Sequence, residues 1–275
     1  VAVGVVTHDR NTGLAGDELP GVAEPAVIEP QGWLRCRPPY QRELHGATSG
    51  ASHKSAFAAG RRRVGMHGVG DVRFFDRFAR FYDWLMPAAD RESLAAALAR
   101  ADGEIDRVLD LGGGTGRATI AVDASERTVV DISRPMLRRA RTRTASGPGR
   151  PGDPPGPLGA VRGDAGRLPV ADDAVDAAIV VDAFHHMPDQ QAVVSEAARA
   201  LRPGGVLVIR EFDPTHPLGW LLARGEHAFG MKSTFHTPDD LADMLADAGF
   251  SVAVLDSGFE YTVVGTAARA TGENR

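Results

Sequence analysis

Hydrophobic and polar positions along this chain alternate between two patterns. Short, nearly unbroken apolar runs occur at Val108–Leu111, Thr128–Asp131, Ala177–Val181 and Val206–Phe212. Runs of that length without strict polar alternation suit strands buried on both faces, as in a parallel sheet. Val161-Arg-Gly-Asp164 ends a further strand, and Ser251–Leu255 with Glu260–Val264 reads as a terminal strand pair. Between the runs lie stretches with helical spacing: about 90–100, 133–144, 190–201 and 237–249. Ser133 is placed to cap the second of these, and Thr237-Pro-Asp-Asp240 carries a capping box with proline in the first turn. A short helix is expected after the glycine turn that follows Leu111, and Arg202-Pro-Gly-Gly205 is expected to turn the chain into the strand that begins at Val206. The alternation predicts an α/β protein.

Upstream, Asp71–Pro87 predicts a helix whose Phe74, Phe75, Phe78, Phe81, Tyr82 and Leu85 form one aromatic stripe. Such a stripe serves as core or as a lid over an apolar substrate. The region 213–236, with Trp220 and His227, reads as an excursion that shapes a substrate site.

Composition divides the chain. Residues 1–65 lack sustained periodicity and end in Arg61-Arg-Arg63, so they are expected to be a disordered extension preceding one domain over 66–275. The recognisable pattern begins just after Met66, which makes that methionine a candidate translation start. Ser146–Pro157 is too rich in proline and glycine for regular structure and is expected to be an exposed loop inside the domain. The formal charge of -5 gives no nucleic-acid surface, and the acidic excess falls after residue 66. The single Cys36 excludes an internal disulfide. No stretch approaches the ~20 apolar residues of a membrane helix. With no evident signal peptide, the expectation is a cytoplasmic protein without stable membrane insertion.

The candidate chemistry gathers where the apolar runs end. Asp110-Leu-Gly112-Gly-Gly114-Thr-Gly116 follows the first run, its alternate glycines letting a ligand lie against the main chain. The dinucleotide fingerprint would need a glycine where Arg117 stands, which argues against a nicotinamide oxidoreductase. Asp131 ends the second run, 17 residues after Gly114, where a carboxylate can accept both hydroxyls of a ribose. The third run, Ala177–Val181, opens into Ala183-Phe-His-His186. Histidine suits general-base work, so His185 and His186 are candidate catalytic groups, with Tyr82, Glu211 and His236 behind them. A metal site is not expected, because no third ligand stands near the histidine pair in sequence.

Taken together, motif I (Asp110-x-Gly112-x-Gly114-x-Gly116), Asp131, Gly163-Asp164, Asp173-x-x-Asp176 and Leu201-Arg-Pro-Gly-Gly205 resemble class I S-adenosylmethionine (SAM)-dependent methyltransferases over about residues 70–265. Within them, Phe75–Asp83 looks like the opening helix of the ubiquinone/menaquinone C-methyltransferase group. That group typically carries Gly-Ile-Arg-Asn where this chain has Ala183-Phe-His-His186. The resemblance implies a Rossmann-like, doubly wound, seven-stranded and mostly parallel sheet with an antiparallel last strand, and SAM as cofactor. Gly112, Gly114 and Gly116 would pass under the methionine and ribose, and Asp131, with Ile132 beside it, would hold the ribose. Asp164 and Ala165 would meet the adenine, Asp182 the methionyl part, and Asp110 would orient the glycine loop or reach the methionine ammonium through water. The implied reaction is methyl transfer to a small, apolar or aromatic acceptor, with a quinone acceptor and a non-catalytic SAM-binding role as alternatives. A nucleic-acid or protein methyltransferase is a further alternative; the acidic body argues against nucleic acid, and no Asn-Pro-Pro-Tyr-like motif follows the Ala177–Val181 run. Oligomeric state stays open.

Overall fold

The computed structural model describes residues 75–76, 90–145 and 158–269. Residues 1–65, the Pro/Gly-rich stretch 146–157 and all of the aromatic stripe except Phe75, Tyr82 included, lie outside the described residues. The order of elements is α1 (Arg91–Leu98), β1 (Arg107–Leu111), β2 (Glu126–Asp131), α2 (Arg134–Ala145), β3 (Leu158–Arg162), β4 (Val175–Val181), α3 (Gln190–Ala200), β5 (Leu201–Phe212), α4 (Pro217–Ala228), α5 (Pro238–Asp247), β6 (Phe250–Asp256) and β7 (Glu260–Ala267). They form one seven-stranded sheet in the order β3-β2-β1-β4-β5-β7-β6. β1 to β5 run parallel, and β7 lies antiparallel between β5 and β6. This is the doubly wound, Rossmann-like arrangement expected from the sequence.

The apolar runs behave as their composition dictates. Every residue of β4 is buried. Leu109, Leu111, Val180, Leu207 and Ile209 turn to one face, against Val193, Val194 and Ala197 of α3 and Leu241 and Leu245 of α5. Val108, Ile179, Val206 and Val208 turn to the other, against Leu94, Ala97 and Leu98 of α1. α2 covers that second face further along, with Leu137 and Ala140 on Val129 and Ala160. Among the described residues, no helix is long and apolar enough to cross a membrane.

Local signals set the boundaries. Thr237 and Asp240 form the reciprocal capping box of α5, with Pro238 in the first turn. Ser133 Oγ accepts from the Met136 amide at the start of α2. Asp90 caps α1 through the Glu92 and Ser93 amides. Two expectations need correction. The glycine turn leads into a single 3-10 turn, Thr119–Ala121, rather than a helix, and its Thr119 is tied down by a buried aspartate. Arg202–Gly205 is not a turn before β5 but part of it: pairing with β4 begins at Val175–Leu201 and resumes at Ala177–Val206, the extra residues bulging out with Gly204 at φ +81°.

Asp176 explains the acid pair that precedes β4 in the sequence. One of its oxygens accepts from the backbone amides of Asp106 and Arg107, at 3.0 and 2.8 Å, and the other from Arg202 at 2.6 Å. It pins the start of β1 to β4 and to the bulge of β5. Replacing it with alanine strands two amides in a part-buried setting, and we expect Asp176→Ala to lower stability by about 2–4 kcal/mol. Chemical denaturation checks this; a midpoint unchanged from the parent chain would contradict the role.

Candidate functional site

The carboxyl ends of β1, β2, β3 and β4 open on one edge of the sheet, where doubly wound sheets bind ligands. Each of these ends bears an acid, and each acid is held differently. Asp110 is fully buried and accepts from Thr119 Oγ1 at 2.5 Å. Burial pushes its carboxyl up to about 6, against the pull of Thr119 and Arg117. It lies directly beneath the glycine loop: a Cβ on Gly113 would stand 2.4 Å from its Cγ. Asp110 therefore shapes the loop from below, and its Oδ1 is buried without a hydrogen-bond partner among the described residues. Gly112, with φ +69°, packs so close to the turn after β4 that a Cβ there would meet Met187 Cε at 2.9 Å and Ala183 Cβ at 3.1 Å. Gly114 and Gly116 share its left-handed conformation.

Asp131 takes the Gly114 amide on one oxygen at 2.9 Å and the Ser133 amide on the other at 2.7 Å. Two of its four lone-pair positions stay available for a vicinal diol. Burial raises its carboxyl above the ordinary value, with the two amide bonds opposing. Ile132 beside it is an exposed apolar residue, suited to an adenine face. Asp164 follows β3, is exposed, and accepts from the Gly166 amide at 2.9 Å, with Ala165 between them. Asp182 follows β4 with the left-handed φ of 53°, uncommon for aspartate. Arg117, at the end of the glycine loop, reaches across to it at 2.6 Å, and both side chains are about nine-tenths buried. This ion pair ties the loop after β1 to the loop after β4. These residues fit SAM: a glycine loop whose Gly114 leaves open space, a Cβ there meeting nothing closer than 3.9 Å, a carboxylate at the next strand end, and buried oxygens of Asp110 and Asp182 with no hydrogen-bond partner among the described residues.

The histidines lie in the 3-10 turn that follows β4. His185 is buried, its ring stacked on Phe235 at 4.3 Å with 13° between planes. Its Nδ1 meets Glu211 Oε2 at 2.6 Å, while Glu211 Oε1 accepts from the Phe184 and His185 amides. Glu211 ends β5 and is itself buried. The His185 Nε2 points to Glu226 Oε1 of α4 at 3.5 Å. His186 stands 4.0 Å away, ring to ring, with Nδ1 3.2 Å from Ser233 Oγ and Nε2 3.9 Å from the same Glu226 oxygen. Burial works against a charge on His185, but the carboxylates of Glu211 and Glu226 outweigh it and raise its pKa well above the usual histidine value. Burial and the neighbouring His185 lower that of His186.

Phe75, the one described residue of the aromatic stripe, and its neighbour Asp76 are helical: Phe75 meets His186 edge-on at 4.7 Å, and Asp76 accepts from Ser133 Oγ at 2.6 Å. The structure brings the sequence candidates Gly112, Gly114, Gly116, Asp131 and Asp182 together, with the histidine pair beyond the turn after β4. His236 is bound to Gln190 at 2.7 Å and belongs to the supporting network. Sequence reasoning missed Arg117 as an active partner, although an arginine inside a glycine loop is a visible signal. It also missed Glu226, which corrects the expectation that no third ligating group accompanies the histidines. Nothing in the local sequence marks Glu226, since it comes from α4, 40 residues further on.

Comparison with known proteins follows this geometry. Residues 109–209 match the methyltransferase-domain family. A demethylmenaquinone methyltransferase of Mycobacterium sp. (strain KMS) is 38% identical over 152 residues, covering 52% of this chain and 60% of that protein. A malonyl-[acyl-carrier protein] O-methyltransferase of Xylella fastidiosa (strain M23) is 32% identical over 203 residues, covering 70% and 66%. The chain spans less than two thirds of the length of either relative. Among solved structures, magnesium protoporphyrin IX methyltransferase from Synechocystis, with bound S-adenosylhomocysteine, superposes with a TM-score of 0.52 at 22% identity, covering 74% of this chain and 98% of that one.

The Arg117–Asp182 pair gives a measurable consequence. Arg117→Ala leaves a buried carboxylate unpaired, and we expect a loss of about 3 kcal/mol at pH 7. Burial already raises the Asp182 carboxyl above 3.8, and without Arg117 it rises further. A folded value above the unfolded one means the native state binds the proton more tightly, so stability falls as pH rises through that window. The deficit of the variant is therefore full above the folded pKa and shrinks as pH drops towards 3.8. Denaturation midpoints at pH 7 and pH 4 test it; an equal deficit at both would contradict the pairing.

Proposed function

The chain belongs to the class I SAM-dependent methyltransferases, with SAM as its cofactor, and from that premise we propose that it transfers a methyl group to a small apolar or aromatic acceptor. The observation that carries this reading is the ring-lined corner beyond the glycine loop. His185 and His186 follow β4, with Phe235 stacked on one and Phe75 edge-on to the other. Apolar Leu218, Trp220 and Leu221 of α4 stand exposed on the element that supplies Glu226. Such a corner favours a flat, apolar molecule over a nucleic acid or a charged peptide.

Bound SAM supplies a methyl group already activated for in-line displacement, so the protein contributes alignment and exclusion of water. Asp131 would hold the ribose hydroxyls and Ile132 the adenine edge. Asp164 and Ala165 would meet the rest of the adenine, and Asp182, set by Arg117, the methionyl part. Asp110 holds the glycine loop in shape. His185 and His186, and Tyr82 from the stripe, would face the acceptor and orient it. A quinone acceptor is the second reading. The 38% identical demethylmenaquinone methyltransferase favours it, and the histidine pair in place of Gly-Ile-Arg-Asn weighs against it.

We expect the full chain to bind SAM and S-adenosylhomocysteine, and Asp131→Ala to weaken both at least about tenfold by loss of two charge-assisted hydrogen bonds. Calorimetry measures this. Transfer of label from methyl-labelled SAM into a lipid extract, with demethylated quinones as a separate arm, tests the acceptor. Unchanged SAM affinity in Asp131→Ala would overturn the cofactor placement. SAM binding with no labelled product in any small-molecule pool would favour a non-catalytic role.

A further inference from the structure

We propose that His185, His186 and Glu226 form a binding site for one divalent transition-metal ion. Three side chains from two separate elements present one ligand atom each to a common point: both Nε2 atoms face the same Glu226 oxygen, at 3.5 and 3.9 Å. Metal–ligand bonds of ~2.0–2.2 Å in a tetrahedral arrangement put neighbouring ligand atoms about 3.3–3.6 Å apart. The two histidine–carboxylate spacings lie close to that range, and the three ligand atoms all fall within 4.8 Å of one another.

The surroundings are those a metal site requires. A ligating histidine gives its other nitrogen to a carboxylate or a similar acceptor, which fixes its tautomer and orientation. Glu211 does this for His185 at 2.6 Å, and Ser233 is placed to do it for His186 at 3.2 Å. Glu211 is anchored in turn by the Phe184 and His185 amides, and the backbone oxygen of His185 accepts from the Thr234 amide. Each histidine is thus left with its Nε2 turned inward. The second oxygen of Glu226 is buried without a hydrogen-bond partner in the protein, an expensive state for a carboxylate.

Charge points the same way. Two carboxylates, Glu211 and Glu226, flank two imidazoles in an enclosed space. A divalent cation held there balances the two carboxylates. Two imidazole nitrogens and one carboxylate select Zn2+, Fe2+, Co2+ or Mn2+ over Mg2+ and Ca2+, which prefer all-oxygen surroundings. Three protein ligands leave at least one coordination position open. An acceptor hydroxyl could bind there and become more acidic, as metal-bound water does. That last step rests on the methyl-transfer reading above; the metal site itself does not.

The test is a Co2+ titration of the chelator-treated full chain, followed by visible absorption, with bound metal counted by elemental analysis after loading with Zn2+. One equivalent should bind with a visible band typical of low-coordinate Co2+, and Mg2+ in excess should not displace it. His186→Gln and Glu226→Gln should each weaken binding at least about tenfold, and Glu211→Gln by about 10–100-fold through loss of orientation. Circular dichroism and SAM binding report whether each variant is folded. Should Glu226→Gln fail to fold, Glu226→Asp retains the charge while drawing the oxygen back, and should still weaken the ion. Asp131→Ala should lose SAM and keep Co2+, so failure of the metal site and failure of the cofactor reading are told apart. Absence of a stoichiometric ion would overturn the proposal and leave a proton as the only cation the cluster takes. Equal affinity in parent and variants would overturn it as well, placing the ion elsewhere on the chain.

Discussion

A carboxylate at the carboxyl end of a buried strand must find donors, and at this edge of the sheet that requirement organises the loops. Asp110, Asp131, Asp182 and Glu211 stand at or just beyond the ends of β1, β2, β4 and β5. Each is wholly or largely buried, so an unmet charge would cost several kcal/mol. Asp110 takes Thr119 and so bends the chain after the glycine loop. Asp131 takes the Gly114 and Ser133 amides and so sets both the loop and the start of α2. Asp182 takes Arg117. Glu211 takes two amides and a ring nitrogen from the turn after β4. The bonds these acids make fix the backbone a cofactor would lie against, and one oxygen each of Asp110 and Asp182 is left without a partner among the described residues.

This constraint also explains the glycines better than flexibility does. Gly113 is needed because Asp110 lies beneath it, and Gly112 because the turn after β4 packs onto it. A loop hemmed in from below and beside by side chains has little freedom left. Its rigidity is what an alignment-dependent reaction asks of a binding surface. The acids and the glycines are two parts of one device, and neither would hold its geometry without the other.

Much of this was legible in the sequence because the signals are local. Apolar runs mark β1, β2, β4 and β5, the Thr237–Asp240 box marks α5, and the spacing from Gly114 to Asp131 places the two halves of the cofactor edge. What could not be read depends on contacts between distant segments. Gly204 suits a turn as well as a bulge inside β5, and only pairing with β4 decides. The 3-10 turn at Thr119 arises because a buried aspartate nine residues earlier claims the hydroxyl. Arg117 was visible, but its partner lies 65 residues on.

Glu226 is the instructive case. On α4, Leu218, Trp220 and Leu221 face outward, while the acid is largely enclosed. A helix folding to satisfy its own amphipathic pattern would do the reverse. Something other than apolar burial therefore fixes its rotation, and the described contacts supply it. Glu226 draws on the two histidines, the His227 ring lies against the Ser233 carbonyl, and Gly219 packs so tightly on the Asp213 carbonyl that a Cβ there would stand 1.9 Å from its oxygen. Places where local pattern and tertiary placement disagree are where function is bought at the expense of stability. By that measure the placement of α4 is set by the polar contacts of Glu226 and His227 rather than by burial of its apolar side chains.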